Sequence, residues 1–294
     1  MEKRYLCLDV GGTSVKYGVC GEEGEILTAG KEAVGKTLEE FLDQVEAIYE
    51  KSAPIEGIAG SFPGEVHSEE GVIYGISAVE HLHKCPLKQL ISERCGGKKV
   101  TMVNDANAAA LGEAWLGVGK KYKNIAFAIV GSGVGGAVIE NGELYPGTTM
   151  NKAEIGNFLM GGVKDGRLLC WSEFTLEKEA QRYSRERQKK VDGKELVELA
   201  RGGDLEAAKR VDEFLHYMAV GCVSLQFAYD PEIIAIGGGI SANPWIMGEI
   251  NRTYRDLVKG QQMEYLMPVI VACERGNDAN LLGELAYFFK YGGD

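Results

Sequence analysis

Three glycine-rich turns follow apolar runs in this chain, at Gly11-Gly12-Thr13, at Gly131-Ser132-Gly133-Val134-Gly135-Gly136 and at Gly237-Gly238-Gly239. Glycine accepts positive backbone dihedrals and close approach, so successive N–H groups can converge on one anion that a β-carbon would obstruct. Phosphate binding is the chemistry such turns invite, although a tight hairpin favours glycine too. Asp9 precedes the first turn and Thr13 lies in it, offering a carboxylate for Mg2+ or its waters and a hydroxyl for a phosphate oxygen. Two such hairpins, facing each other from two lobes, would hold one nucleotide across a cleft. Gly131-x-Gly133-x-x-Gly136 formally matches a dinucleotide fingerprint, but β-formers follow it where that reading requires a helix. The Gly-Lys-Ser/Thr close of a Walker loop is absent.

Isolated acids supply the second kind of chemistry. Asn104-Asp105 follows the apolar run 99–103 and opens a helical stretch. An aspartate at a strand's carboxyl end, where α/β folds place ligands, can take a proton from an alcohol during phosphoryl transfer. The same pair makes a good helix N-cap, so capping is the competing reading. Glu154 is followed three residues later by Asn157, and a carboxylate with such an amide could clasp vicinal sugar hydroxyls. A solvated loop acid explains these two residues equally well.

Strands that end at the turns must position these groups. The spacing predicts strands over 4–9, 14–20, 25–30 and 55–59, a helix over 38–49, and a loop at Gly60-Ser61-Phe62-Pro63-Gly64. A helix over 86–93 and a strand over 99–103 follow, then a helix from Asn104. The strand and glycine turn recur over 124–140, and the remainder reads as mostly helical: 176–184, 194–200 and 204–229, the last with an apolar core stripe. A strand over 233–236, a helix from Pro244, a strand over 269–273 and a helix over 281–289 close the chain. The basic stretch 184–190 is expected to be a solvated helix face. No linker separates the halves, so topology places the division inside the helix after Asn104.

Length and composition allow two ordinary α/β domains: 294 residues, 45% hydrophobic and 26% charged. A formal net charge of −11 argues against a nucleic-acid partner. Seven cysteines, scattered singly with no C-x-x-C pair, point to neither a disulfide framework nor a zinc cradle. Without a secretory signal or a long apolar span, a cytoplasmic protein with no membrane partner is expected.

These residues resemble the ROK sugar kinases, a family named for repressors, open reading frames and kinases. Leu8-Asp9-Val10-Gly11-Gly12-Thr13 with Lys16 looks like the family's phosphate hairpin, and Ser61-x-Pro63-Gly64 with Gly71 looks like its sugar-side loop. Asn104-Asp105-Ala106-Asn107-Ala108 is similar to its catalytic helix start, and Gly131 to Gly136 to its second phosphate turn. Glu154-x-Gly156 matches its sugar motif, and Asp230-Pro231 with Ile236-Gly237-Gly238-Gly239 resembles its adenosine-side loop.

The resemblance implies an α/β, actin-like (ribonuclease H-like) fold in two domains with an interdomain cleft, and usually a homodimer. Residues 1–106 with about 280–294 would form the sugar-side domain, and 107–279 the nucleotide-side and dimerising one. It implies Asp105 as the base towards a sugar 6-hydroxyl. Ser61, Pro63, Gly64, Asn104, Glu154 and Asn157 would bind sugar. ATP would meet Asp9, Gly11, Gly12, Thr13, Lys16, Gly131, Ser132, Gly133, Gly237, Gly238 and Gly239, with Asp9 reaching Mg2+ through water. Many members carry a histidine that binds sugar and a structural zinc where this chain has Asn157, and the zinc-binding cysteine cluster is missing, leaving Cys170. No zinc is therefore expected, and Glu173 stands in for the second sugar-binding glutamate lost with that cluster. Zinc-free relatives include N-acetylmannosamine kinases and β-glucoside kinases, and the asparagine favours N-acetylmannosamine over a β-glucoside or glucose. A repressor would need a helix-turn-helix before the first hairpin, where only Met1 to Arg4 stand, so that reading is not expected. Intact Asp9 and Asp105 speak against a sugar sensor without catalysis.

Overall fold

The computed structural model describes residues 2–75, 77–145, 147, 153–265 and 268–292. The chain forms two compact units, one running to Lys121 and resuming at Asn277, the other built from Tyr122–Tyr145 and Ala153–Gly276. The division drawn from sequence at 106/107 would cut a helix that lies whole in the first unit.

In the first unit the elements run β1 (Arg4–Val10), β2 (Ser14–Gly21), β3 (Ile26–Ala33), α1 (Leu38–Ser52), β4 (Gly57–Phe62), β5 (Glu65–His67), β6 (Val72–Tyr74), α2 (Leu87–Arg94), β7 (Lys99–Asn104) and α3 (Asp105–Leu116). The second unit adds β8 (Ile125–Val130), β9 (Val134–Glu140), β10 (Glu143–Leu144), β11 (Leu159–Lys164), β12 (Arg167–Cys170), α4 (Leu176–Arg187), α5 (Gly193–Arg201), α6 (Leu205–Tyr229), β13 (Ile233–Gly237), α7 (Pro244–Gly260) and β14 (Val269–Ala272). Helix α8 (Ala279–Tyr291) returns to the first unit.

The first sheet has the order β3-β2-β1-β4-β7 and the second β10-β9-β8-β13-β14. In each, an antiparallel meander of three strands is extended by two parallel strands beside its first strand. The recurrence of strand and glycine turn in the sequence is thus a recurrence of the whole sheet.

Side chains alternate across a strand, and the first sheet uses both faces. Leu6, Leu8 and Val10 pack with Phe41, Leu42, Val45 and Ile48 of α1, while Tyr5 and Cys7 pack with Ala59 and with Leu281 and Leu285 of α8. Asp9 and Ser61 share the parity of this second face at its carboxyl end. Helices α3 and α8 meet backbone to backbone: a β-carbon on Gly283 would run into the Ala108 carbonyl, and one on Gly112 into the Ala279 carbonyl. In the second unit Ala126, Ala128, Val130, Ile234 and Ile236 pack against the stripe of α6, including Phe214, Met218 and Leu225, which is core as expected. Among the described residues no helix is long and apolar enough to cross a membrane.

Local departures from the sequence reading have identifiable causes. Strand β4 begins two residues later than expected and runs through Gly60, Ser61 and Phe62, so those three are strand and not loop. Gly135 and Gly136 belong to β9, which shortens the second turn to Gly131–Gly133. The stretch after Glu140, read as mostly helical, contains the hairpin β11–β12, closed by Asp165-Gly166 with φ of 51° and 74°. Asp-Gly is the residue pair such a two-residue turn favours, but β11 is largely exposed and lacks apolar alternation.

Two glycine substitutions should separate close packing from helix propensity. Gly283→Ala, at the α3–α8 crossing, is expected to destabilise by about 1–3 kcal/mol or more through overpacking. Gly248→Ala, on an exposed stretch of α7 with open space around it, should stabilise by about 0.5–1 kcal/mol. Denaturant midpoints would check both, and equal shifts would refute the crossing argument.

Candidate functional site

In the first unit the proposed chemistry gathers at the carboxyl ends of β1, β4 and β7, which are adjacent and parallel. Asp9, near the end of β1, faces its cross-strand partner Lys16, whose Nζ donates to Asp9 Oδ2 at 3.1 Å. Asn280 Nδ2 donates to the other oxygen, Oδ1, at 3.2 Å. Only 12% of the Asp9 side chain is exposed. The following turn closes through Gly11 N–H to the Ser14 carbonyl at 2.9 Å, leaving Gly12 and Thr13 at the surface. A β-carbon on Gly12 would stand 2.5 Å from the Ala78 methyl, so the turn admits no side chain there.

Ser61 stands opposite Asp9 on β4. Expected in a sugar loop, it is instead wholly buried, and its Oγ donates to Glu284 Oε1 at 2.7 Å. Glu284 is also wholly buried, and its Oε2 has no hydrogen-bond partner. Burial first, and then the charge of Asp9, push its carboxyl pKa well above the usual carboxylate range, which favours the neutral acid. Pro63 and Gly64 follow β4. Gly64 has φ of 101° and lies against Ser77 and the Tyr74 carbonyl, and its own carbonyl accepts from Asn104 Nδ2 at 3.1 Å.

At the end of β7 the competing readings of Asn104-Asp105 separate. Asn104 is the N-cap of α3: its Oδ1 accepts from the N–H groups of Ala106 at 2.9 Å and Asn107 at 3.2 Å. Asp105 is the first helical residue, half-buried, with Oδ1 also 2.8 Å from the Ala106 nitrogen. Asn104 and Asp105 thus share the Ala106 N–H, and the Asn107 N–H goes to Asn104.

In the second unit β8 and β13 run parallel and both end in glycine turns. Gly131 N–H donates to the Gly133 carbonyl at 2.9 Å. Two residues that the sequence reading missed hold this turn from the side: Ser172 Oγ accepts from Val134 N–H at 3.0 Å, and Thr175 Oγ1 donates to the Ser132 carbonyl at 3.3 Å. Gly238 has φ of 82° and sits so close to the Val130 carbonyl that a β-carbon would collide with it. Gly237 precedes it at the end of β13. Beside the two turns opens a cleft of about 620 Å³ lined by Gly131, Leu176, Gly193, Gly239, Asn243 and Ile246. That volume suits a small organic ligand. A larger hollow of about 890 Å³ lies in the first unit along Lys99–Thr101 and Tyr287, and none of the expected site residues lines it.

Glu154 and Asn157 flank one short turn, closed by Asn157 N–H to the Glu154 carbonyl at 3.0 Å. Three residues make one turn of such a helix, which stacks their positions. Both are exposed. Gly156 is pressed against the Val134 carbonyl and Ser172 Oγ, which explains the glycine of the Glu-x-Gly motif sterically. Glu173 is exposed on the turn Trp171–Phe174, and its carbonyl accepts from Arg182 at 2.9 Å. Cys170 ends β12, half-buried.

For Mg2+, Asp9 offers one carboxylate, and among the described residues no group of three His, Cys, Asp or Glu forms a cage. A small hard cation that keeps several waters and takes phosphate oxygens needs no more than that, so the residues present fit it.

The ROK family model matches residues 5–290. A β-glucoside kinase of Listeria monocytogenes is 27% identical over 294 residues, covering 98% of each chain. A candidate N-acetylmannosamine kinase from the same species aligns with a TM-score of 0.88 and 26% identity, over 99% of this chain and 100% of that one. A ROK glucokinase of Streptomyces griseus, solved with glucose and AMPPNP, aligns with a TM-score of 0.78 and 25% identity, over 96% and 98% of the chains. The shared fold is the actin-like one expected from the motifs.

The raised pKa of Glu284 has a thermodynamic signature. A carboxyl whose pKa is raised by folding contributes fully below its unfolded value, here the ordinary 4.5, and loses that contribution as pH rises through its folded value. Glu284→Gln is therefore expected to gain melting temperature relative to the wild type as pH rises from about 5 to about 9. Parallel melting curves across that range would show that Glu284 is not neutral in the folded chain.

Proposed function

We propose that this chain, which belongs to the ROK family, is an ATP-dependent kinase that phosphorylates the 6-hydroxyl of a hexose or N-acylhexosamine. The observation that carries the reading is the division of labour between Asn104 and Asp105. The asparagine caps α3 through the N–H groups of Ala106 and Asn107 and holds the Gly64 carbonyl, while Asp105 shares the Ala106 N–H through Oδ1 at the carboxyl end of β7. In the proposed reaction Asp105 accepts the proton of the sugar hydroxyl as that oxygen bonds to the γ-phosphorus, and the bond from phosphorus to the bridging oxygen of ADP breaks.

The remaining groups bind and orient. Gly12 N–H, Thr13 and Lys16 would meet phosphate oxygens from the first unit, and Gly131, Ser132 and Gly133 from the second, with Gly237, Gly238 and Gly239 beside the cleft that would take the adenosine. Mg2+, when bound with ATP, supplies charge neutralisation between the phosphates, and Asp9 would hold it through water. Pro63, Gly64, Glu154, Asn157 and Glu173 would contact the sugar. Ser61 supports that loop from below through Glu284.

Among sugars the reading favours N-acetylmannosamine, on Asn157 in place of a zinc-binding histidine and on the likeness to the Listeria protein. The β-glucoside and glucose kinases among the relatives make those sugars the alternatives. A panel of glucose, N-acetylmannosamine, N-acetylglucosamine, fructose and cellobiose, compared by kcat/KM, should rank N-acetylmannosamine first. No sugar phosphate from any of the five would sink the kinase reading. Asp105→Asn should leave sugar affinity within about an order of magnitude and cut turnover by about a hundredfold or more. Near-normal turnover would remove Asp105 as the base.

A further inference from the structure

Helix α8 carries none of the glycine turns or acids from which the site was read, yet it delivers two polar side chains to it. Asn280 and Glu284 are four residues apart and so share a helix face. Glu284 takes Ser61 at the end of β4, and Asn280 takes Asp9 at the end of β1. The Asn280 amide nitrogen is also 3.5 Å from the backbone carbonyl oxygen of Asp105, at the long end of hydrogen-bond range. An amide carries two N–H donors, so one side chain can serve both oxygens.

The two oxygens of Asp9 thus have different partners. Oδ2 faces Lys16, whose side chain is 39% exposed, and Oδ1 faces Asn280 on a packed helix. A lysine that turns to a phosphate leaves Asp9, and the amide is then the donor that still fixes the carboxylate. We propose that Asn280 is a positioning residue for phosphoryl transfer, setting the orientation of Asp9 and its spacing from the first turn of α3, where Asp105 stands. The inference rests on the kinase reading. Its chemistry requires a neutral donor: aspartate at 280 has nearly the same shape but would turn an acceptor, and a like charge, towards Asp9.

Shape and donor are separable by substitution. Asn280→Ala should lower kcat/KM for ATP about ten- to a hundredfold, the scale of a lost hydrogen bond to a charged group, while the KM for sugar stays within about threefold. Asn280→Asp should be worse than alanine for ATP. The like charge beside Asp9 should also cost stability, only partly offset by the helix dipole, so the kinetics of each variant are read well below its melting temperature. A purely structural role predicts losses in both substrates that follow the fall in melting temperature, with no selective loss for ATP. Calorimetric binding of Mg2+–AMPPNP, with the same order of affinities expected, provides a readout that needs no turnover. If the wild type phosphorylates no sugar but binds the nucleotide, the reaction assignment fails while the affinities still decide the role of Asn280. Nucleotide affinity and ATP kinetics unchanged in Asn280→Ala would overturn the inference, whether or not the aspartate variant folds.

Discussion

The backbone contact between α3 and α8 is the constraint on which the first unit's site depends. Two glycines, Gly112 and Gly283, let the helices approach until the carbonyls of Ala108 and Ala279 fill the space where β-carbons would be. With that approach, Asn280 reaches both Asp9 and the Asp105 carbonyl, and Glu284 reaches Ser61. The contact between Asn280 and the Asp105 carbonyl is already 3.5 Å long, so a wider crossing would break it. Asp9, Ser61 and the start of α3 are therefore tied together through one helix packed at an apolar crossing.

The two sheets solve one problem with different chemistry. Each has its own carboxyl edge of parallel strands, the place where ligands of α/β folds bind. In the first unit that edge presents side chains: Asp9, then the cap and the acid at Asn104-Asp105. In the second it presents backbone, because β8 and β13 run into Gly131–Gly133 and Gly237–Gly239. A backbone cradle carries no net charge and tolerates a polyanion, whereas the acids of the first unit suit proton transfer and a hydrated cation. The side chains that steady the cradle, Ser172 and Thr175, come from a neighbouring turn and helix start.

The strands, the long helices and the repeated turn were legible because apolar alternation and helical spacing persisted over whole elements, as in β1, α1 and α6. Asn104-Asp105 was legible as a pair but not in its parts. Which residue caps depends on where the helix begins, and only hydrogen bonds show that. Ser61 was misplaced because a Gly-Ser-Phe-Pro-Gly string looks like a loop, while pairing with β1 and β7 extends β4 through its first three residues. Glu284 and Asn280 left a fainter trace, polar residues in the helix over 281–289 and just before it. Their partners lie 175 to 271 residues away, so no local pattern could name them. The hairpin β11–β12 was invisible to alternation because its side chains are mostly solvated.

Glu284 shows what the fold accepts to build this edge. A wholly buried carboxyl with one unpartnered oxygen opposes folding by desolvation, and an apolar residue of similar size would pack the face of Tyr5, Cys7 and Ala59 without that cost. Local consistency breaks where the apolar face of β1 and β4 gives way to the acids at its rim, one helical turn from Asn280. Breaks of this kind concentrate at functional edges, because a core that was apolar to its last residue would leave Ser61 and the loop above it without an anchor. The destabilising acid and the positioning amide are on these grounds parts of one device. The same face of α8 closes the core at Leu281 and Leu285, and there it also fixes the polar groups that the proposed reaction requires.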